Sequence, residues 1–268
     1  MVTINSNYAA SFAANAAKQT EKSLNSAMEK LSTGKRINFA KDDAAGSAIA
    51  MRLDAEISGL SVAARNAADG QALIDTADAA LKESHSLLIR MRELAVQAQN
   101  GTLQTADKTA LGVEFNALEA EITRISDNTT WAGIKILDGS QASGIKFRVG
   151  TAEDITHNIP NMAATAIGML AAHTVAQASA IAAVDASIAK LSEERAKLGG
   201  ISNRLDSTVA NLNQIQVNLS ASKGRIEDAD FALETGNLAK GQILQQAATA
   251  MVAQANASKS SVLTLLRG

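Results

Sequence analysis

Histidines and paired carboxylates are the side chains of this 268-residue chain best equipped for chemistry. His85, His157 and His173 could bind a metal or pass a proton, but none completes a helical ligand pattern such as H-E-x-x-H. The absence of cysteine excludes a thiolate nucleophile, a thiolate metal site and a disulfide framework. Gly34-Lys35 lacks the upstream glycine and the following Ser/Thr of a phosphate-binding loop, and neither G-x-S-x-G nor G-x-G-x-x-G occurs. Asp42-Asp43 stands just before a helical stretch that starts at Ala44, where capping and the helix dipole account for both acids. Glu193-Glu194, beside Arg195, reads as part of an exposed helical face. These residues predict no enzyme: no catalytic set, no cofactor-binding residues and no metal site.

The elements carrying these residues follow from composition and period. Hydrophobic residues make up 46% of the chain but aromatics only 3%, and there is one proline. The chain is too apolar for disorder and too poor in large side chains for a thick core. Alanine-rich and nearly proline-free, it reads as long, thin, closely packed helices. Steps of three and four residues from Ile181 meet Val184, Ile188, Leu191, Leu198, Leu205, Val209, Leu212 and Leu219. A matching seam runs through Leu53, Ile57, Leu60, Ala64, Ala67, Ile74, Leu81, Leu88 and Ala95. Seams sustained over this length are those of a coiled coil. The spacing predicts helices over Ala44–Gln99 and Thr105–Asp127, the first ended by Asn100-Gly101. Only the middle changes period. Trp131–Asp138, Ile145–Val149 and Ile155–Ile159 are short runs between glycines and read as hairpin strands.

The expected fold class is therefore mainly α, a long antiparallel coiled-coil helical bundle formed by both chain ends, with a small β-hairpin region in the middle. The expected divisions are a terminal helix at 1–40 paired with another at 226–268, long-helix segments at 41–139 and 172–225, and a short β/loop region at 140–171.

Charge excludes further classes. The net charge is −2 with a pI near 6.0, and no basic stripe is present, so no nucleic-acid partner is expected. The charge-free stretch Ile155–Val184 is interrupted by His157, Asn158, Pro160, Asn161, His173 and Gln177, so no membrane span is expected. No compact apolar stretch follows the start, and no cleaved secretory signal is expected. Residues 1–17 and 241–258 carry no charged side chain. Ile4, Tyr8 and Phe12 form one apolar stripe; Ile243, Leu244, Ala247, Met251 and Ala255, continued by Val262, Leu265 and Leu266, form another. Two readings stand side by side: frayed termini, or ends that pack together and then against further copies.

Several long stretches resemble bacterial flagellins. LSTGKRINFAKDDAAGSAIA at 31–50 and RMRELAVQAQNGT at 90–102 resemble the family's amino-terminal signature, and NTTWAGIKILDG at 128–139 its hairpin motif, with Trp131 where the family usually has Phe. The run from NRLDSTVANLNQIQVNLSASKGRIEDADFA (203–232) through ILQQAATAMVAQAN (243–256) to VLTLLR (262–267) is similarly flagellin-like. The short middle, about 140–172, resembles a form without large outer domains. The resemblance implies a structural subunit that self-polymerises into the flagellar filament for swimming. It would be exported unfolded by the flagellar type III apparatus and be extracellular. It implies filament-core packing by Ile4, Tyr8, Phe12, Val262, Leu263, Leu265 and Leu266. It also implies a contact surface for the vertebrate Toll-like flagellin receptor or a neighbouring subunit at Arg90, Leu94 and Glu114. Further implied partners are a flagellar export chaperone on the carboxy-terminal segment and the hook-associated junction and cap proteins. A hook–filament junction protein, a chemoreceptor-like signalling rod and a helical hydrolase are the competing readings; the last lacks any polar constellation to support it.

Overall fold

The computed structural model describes residues 6–141, 143–150, 153–169, 175 and 178–267, residue 178 and the last nine by backbone alone. Its elements in chain order are α1 (Tyr8–Thr33), α2 (Ala44–Ala98), α3 (Thr105–Asn128), β1 (Thr130–Trp131), β2 (Ile134–Lys135), β3 (Ile145–Arg148), β4 (Asp154–His157), α4 (Ala164–Ile167), α5 (Ala178–Glu227) and α6 (Phe231–Arg267). The fold is mainly α, with long helices and small hairpins in the middle, as the periodicity predicts. The chain divides into two compact units: Met1–Glu56 with Asn218–Gly268, and Ile57–Val217.

In the first unit α1 and α6 run antiparallel. Asn7 near the start of α1 donates through Nδ2 to Ala255 O (3.2 Å) and Asn256 Oδ1 (3.3 Å) late in α6. Lys30 near the end of α1 pairs with Glu234 early in α6 (3.2 Å). Small residues allow the helices to approach: Ala13, Ala27 and Ala248 are buried, and a Cβ on Gly241 would lie 3.3 Å from Leu24 Cβ. Asn7 also caps α1 by accepting the Ala10 N–H at 3.1 Å. Gly34 ends the helix in the left-handed conformation (φ 71°), which costs glycine least.

The segment after Gly34 is tied to the end of α5. Lys35 and Asp228 form an antiparallel bridge. Arg36 N–H donates to Glu227 O (2.6 Å), and Ala229 N–H donates to Gly34 O (2.9 Å). Lys35 pairs with Glu227 at 2.5 Å, and Lys223 pairs with Asp54. Of the acidic pair only Asp43 caps the helix as expected, whereas Asp42 holds the loop before it. Asp42 accepts the N–H groups of Asn38 (3.2 Å) and Phe39 (3.0 Å), while Asp43 accepts the Gly46 N–H at 2.8 Å to start α2.

In the second unit the heptad seams become two ladders of buried side chains. Ala67, Ile74, Leu81, Leu88 and Ala95 of α2 are fully buried, as are Val184, Leu191, Leu198 and Leu205 of α5. Their direction is antiparallel: as the α2 member of each polar pair moves from Gln71 to Asp78 to Arg92, its α5 partner retreats from Asp206 to Arg195 to Asp185. Phe115 and Ile122 of α3 complete the same core. α3 begins where Asp107 accepts the Gln104 N–H (3.0 Å).

The strands are shorter than the sequence runs suggest. β1 and β2 pair antiparallel, Thr130 with Lys135 and Trp131 with Ile134. The two residues between them, Ala132 (φ 50°) and Gly133 (φ 83°), are both left-handed, the geometry that matches strand twist in a two-residue hairpin. β3 and β4 pair Ile145 with His157 through Arg148 with Asp154. Beyond β2, Ile136 N–H still donates to Thr129 O (3.3 Å), while Leu137 O accepts the Met162 N–H (2.8 Å) and the Ser126 hydroxyl (2.7 Å), and both side chains are fully buried in the core. The partner strand goes no further because Thr129 caps the end of α3, its own N–H donating to Ile125 O at 3.0 Å, so the Trp131–Asp138 run holds a tight hairpin and no longer strand.

Candidate assembly surface

Large uncovered apolar side chains lie on the helices of the first unit. Tyr8 is 74% exposed and Phe12 78%. On α6, Phe231, Leu233, Ile243, Leu244 and Met251 are also exposed. Tyr8 and Phe12 fall in the amino-terminal stretch without charge, and Ile243, Leu244 and Met251 in the carboxy-terminal one. These helices bury their alanines against each other and turn their large residues outward, the reverse of a finished globular surface. Of the residues that the resemblance implies for filament-core packing, Tyr8 and Phe12 are exposed. Ile4 lies outside the described residues. Val262, Leu263, Leu265 and Leu266 lie on α6, with side chains outside those described.

A polar groove accompanies the apolar surface. About 580 Å³ in volume, it is lined by Lys22, Lys30 and Lys240 with Glu234 and Asn237. The Asn237 amide and then the Lys30 ammonium hold the Glu234 carboxylate below its ordinary pKa.

The surface implied for receptor or neighbour contact is split. Arg90 bonds Glu114 of α3 and Glu93 of its own helix, each at 3.0 Å. Leu94 is only 1% exposed and belongs to the buried core of the second unit. Exposed Ile89, Val96 and Val113 also occur on α2 and α3.

One reading of the sequence is corrected. Glu193 is exposed, but Glu194 is 2% exposed and does not lie on a surface face. Its Oε1 meets His157 Nε2 at 3.0 Å, and Lys197 approaches its other oxygen at 3.5 Å. Arg195 reaches Asp78 on α2 at 2.7 Å, which raises its pKa further. One helical turn therefore holds an exposed acid, a buried acid and an interhelical base. Helical period places Glu194 near the seam, but the reason an acid is tolerated there comes from β4. Among the described residues no group of three His, Asp or Glu side chains could hold a metal, and no helix is long and apolar enough to cross a membrane.

Paired terminal helices with an outward apolar surface, heptad-packed long helices and small hairpins define a helical structural subunit. The bacterial flagellin N-terminal helical region matches residues 4–142 and the C-terminal helical region residues 181–266. A flagellin of Halalkalibacterium halodurans is 45% identical over 249 residues, covering 90% of this chain and 91% of its own. A Bacillus subtilis flagellin is 38% identical, covering 98% and 99%. The crystal structure of Bacillus cereus flagellin matches with TM-score 0.50 and 30% identity, over 55% of this chain and 88% of that one. This chain belongs to the bacterial flagellin family, a family of structural proteins rather than enzymes. A flagellar hook-associated protein of Vibrio parahaemolyticus shares the fold at 16% identity (TM-score 0.59, over 70% of this chain and all of that one).

Proposed function

We propose that this chain is the repeating subunit of a bacterial flagellar filament and self-polymerises through its two terminal helices. The observation that carries the reading is the outward apolar surface of α1 and α6, headed by Tyr8 and Phe12. A helix face bearing amides, hydroxyls and large apolar groups has little to keep it soluble alone, and burial against further copies removes that surface from water at about 25 cal/mol per Å² of apolar area. Ile4, Val262, Leu263, Leu265 and Leu266 extend the same stripes in sequence and are assigned to the same packing. Head-to-tail contact of identical subunits that does not close on itself generates an open helical filament.

Export through the flagellar type III apparatus in unfolded form completes the reading. A chain without cysteine has no disulfide to form after export. A flagellar export chaperone is assigned to the uncharged part of α6, junction and cap proteins to the filament's ends, and an extracellular location to the assembled product. A Toll-like receptor contact is assigned to the surface around Arg90 and Glu114; Leu94, implied with them, is buried in the core. The polymerisation reading is tested by deleting residues 1–20 or 245–268. Each truncation is expected to leave a soluble helical monomer that adds to no filament seed; filaments of normal length from either would overturn the reading.

A further inference from the structure

We propose that Asn100-Gly101 is a self-modifying site, at which the chain converts Asn100 to aspartate and isoaspartate without an enzyme. Of all the asparagines in the sequence, Asn100 alone is followed by glycine, whose missing Cβ leaves the next backbone nitrogen sterically free to approach the side-chain carbonyl. Most other asparagines of the long helices have their successor N–H engaged in the helical ladder. Asn100 lies past the end of α2 and is exposed, as is Gly101. The Gly101 N–H donates to no acceptor among the described residues. The nucleophile is therefore uncommitted.

The electrophile is prepared as well. Asn100 Oδ1 accepts the Thr102 N–H at 3.2 Å. That oxygen gains negative charge when its carbon is attacked, and a donor already aimed at it favours the tetrahedral state. The turn is also held by Leu103 N–H donating to Asn100 O at 3.3 Å and Asn100 N–H donating to Gln97 O at 3.0 Å.

Hydroxide removes the Gly101 amide proton, and its nitrogen attacks Asn100 Cγ. A C–N bond forms, the bond to the side-chain nitrogen breaks, and that nitrogen takes a proton from water to leave as ammonia, regenerating hydroxide and giving a cyclic succinimide. Water then opens the ring at either carbonyl. One opening restores the backbone with an aspartate; the other routes it through the side-chain carbon as isoaspartate. The net change is an amide and water to a carboxylic acid and ammonia. Each product places a new negative charge just beyond the α2 C-terminus, where the helix dipole opposes it. The isoaspartyl form also lengthens the backbone inside the turn that leads into α3. Once outside a cell, the site would record the age of a subunit.

The full chain, incubated in mildly alkaline buffer and then digested with trypsin, reports through the peptide Glu93–Lys108, in which Asn100 is the only asparagine. A one-dalton gain resolved into two products is expected there before it appears at any other asparagine. The folded chain should react about threefold faster than the same isolated peptide, the rate equivalent of one weak hydrogen bond to the oxyanion. Gly101 has open space around it and an ordinary φ, so Gly101→Ala should keep the helical circular dichroism and suppress the mass shift. A folded chain that reacts more slowly than the peptide, an earlier shift at another asparagine, or an undiminished shift in Gly101→Ala would each overturn the assignment.

Discussion

At Gly70 the absence of a side chain decides how the β3–β4 hairpin meets α2. A Cβ there would lie 2.6 Å from Phe147 Cδ1 and 2.9 Å from its Cγ, and Phe147 is itself buried. Inside a helix, glycine costs about 1 kcal/mol relative to alanine, so a surface Gly70→Ala would stabilise. Here overpacking, typically about 1–3 kcal/mol, opposes that gain. Gly70→Ala is expected to lower stability by about 1–2 kcal/mol, read from urea melts followed by circular dichroism, whereas Gly59→Ala, with open space around it, should not. Glycine spacing alone shows close packing at neither site or both; the ring that separates them arrives from a strand far along the chain.

Titration at Glu234 belongs to the same scale. Its carboxylate is held below its ordinary pKa by Asn237 and Lys30. A depressed acid contributes stability that is fully present above its unfolded pKa, about 4.3, and is lost as pH falls through the lower folded value. Pairing of α1 with α6 should therefore weaken only below about pH 4, and Glu234→Gln should flatten that limb. Thermal melts of the two proteins across the acid range check this; parallel pH profiles would refute it.

Among the elements, the link between β4 and α5 is the most consequential polar contact. His157 and Glu194 are both buried, 3.0 Å apart. Removing Glu194 leaves buried His157 without this partner, and removing His157 leaves buried Glu194 only Lys197 at 3.5 Å; an unsatisfied buried polar group costs about 1–3 kcal/mol. Glu194→Leu and His157→Phe should each destabilise by about that much, and the double variant by much less than the sum, since nothing is then left unpaired. A double-mutant cycle by urea denaturation measures the coupling. The neighbouring bonds Arg195–Asp78 and Arg92–Asp185 lie nearer solvent, where ion pairs contribute about 0–1 kcal/mol. They fix the register of α2 and α5 more than their stability, which comes from the leucine, isoleucine and alanine ladders.

For the molecule as a whole, the contrast lies between what the chain buries in itself and what it leaves uncovered. The second unit has a continuous core of long-helix side chains, Phe115, Ile122 and hairpin residues. The first unit buries mostly alanine and presents Tyr8, Phe12, Ile243 and Met251 outward. Replacing Tyr8 and Phe12 with serine should leave the helicity and melting of the monomer unchanged, since neither side chain is in a core. The same change should sharply reduce addition to filament seeds, measured by sedimentation or electron microscopy. A double variant that assembles like the native chain would place the assembly contact elsewhere.

The long helices, their seams and their antiparallel partnership were legible in the sequence because heptad period is local. Leucine or alanine every seventh residue marks the buried face whatever the partner is, and Asp43 acts on a backbone group within a few residues of itself. The uncharged ends were legible for the same reason, as stripes on single helices. The tertiary structure alone decided the fate of groups whose partners are remote. Glu194 lies inside because His157 meets it there, Leu94 is buried in the core while Arg90 and Glu114 stay exposed, and Leu137 gives its carbonyl to Met162 and Ser126 instead of to a strand. Period tells a chain which face to bury, but the desolvation cost of a polar group is set by whichever residue the fold brings against it.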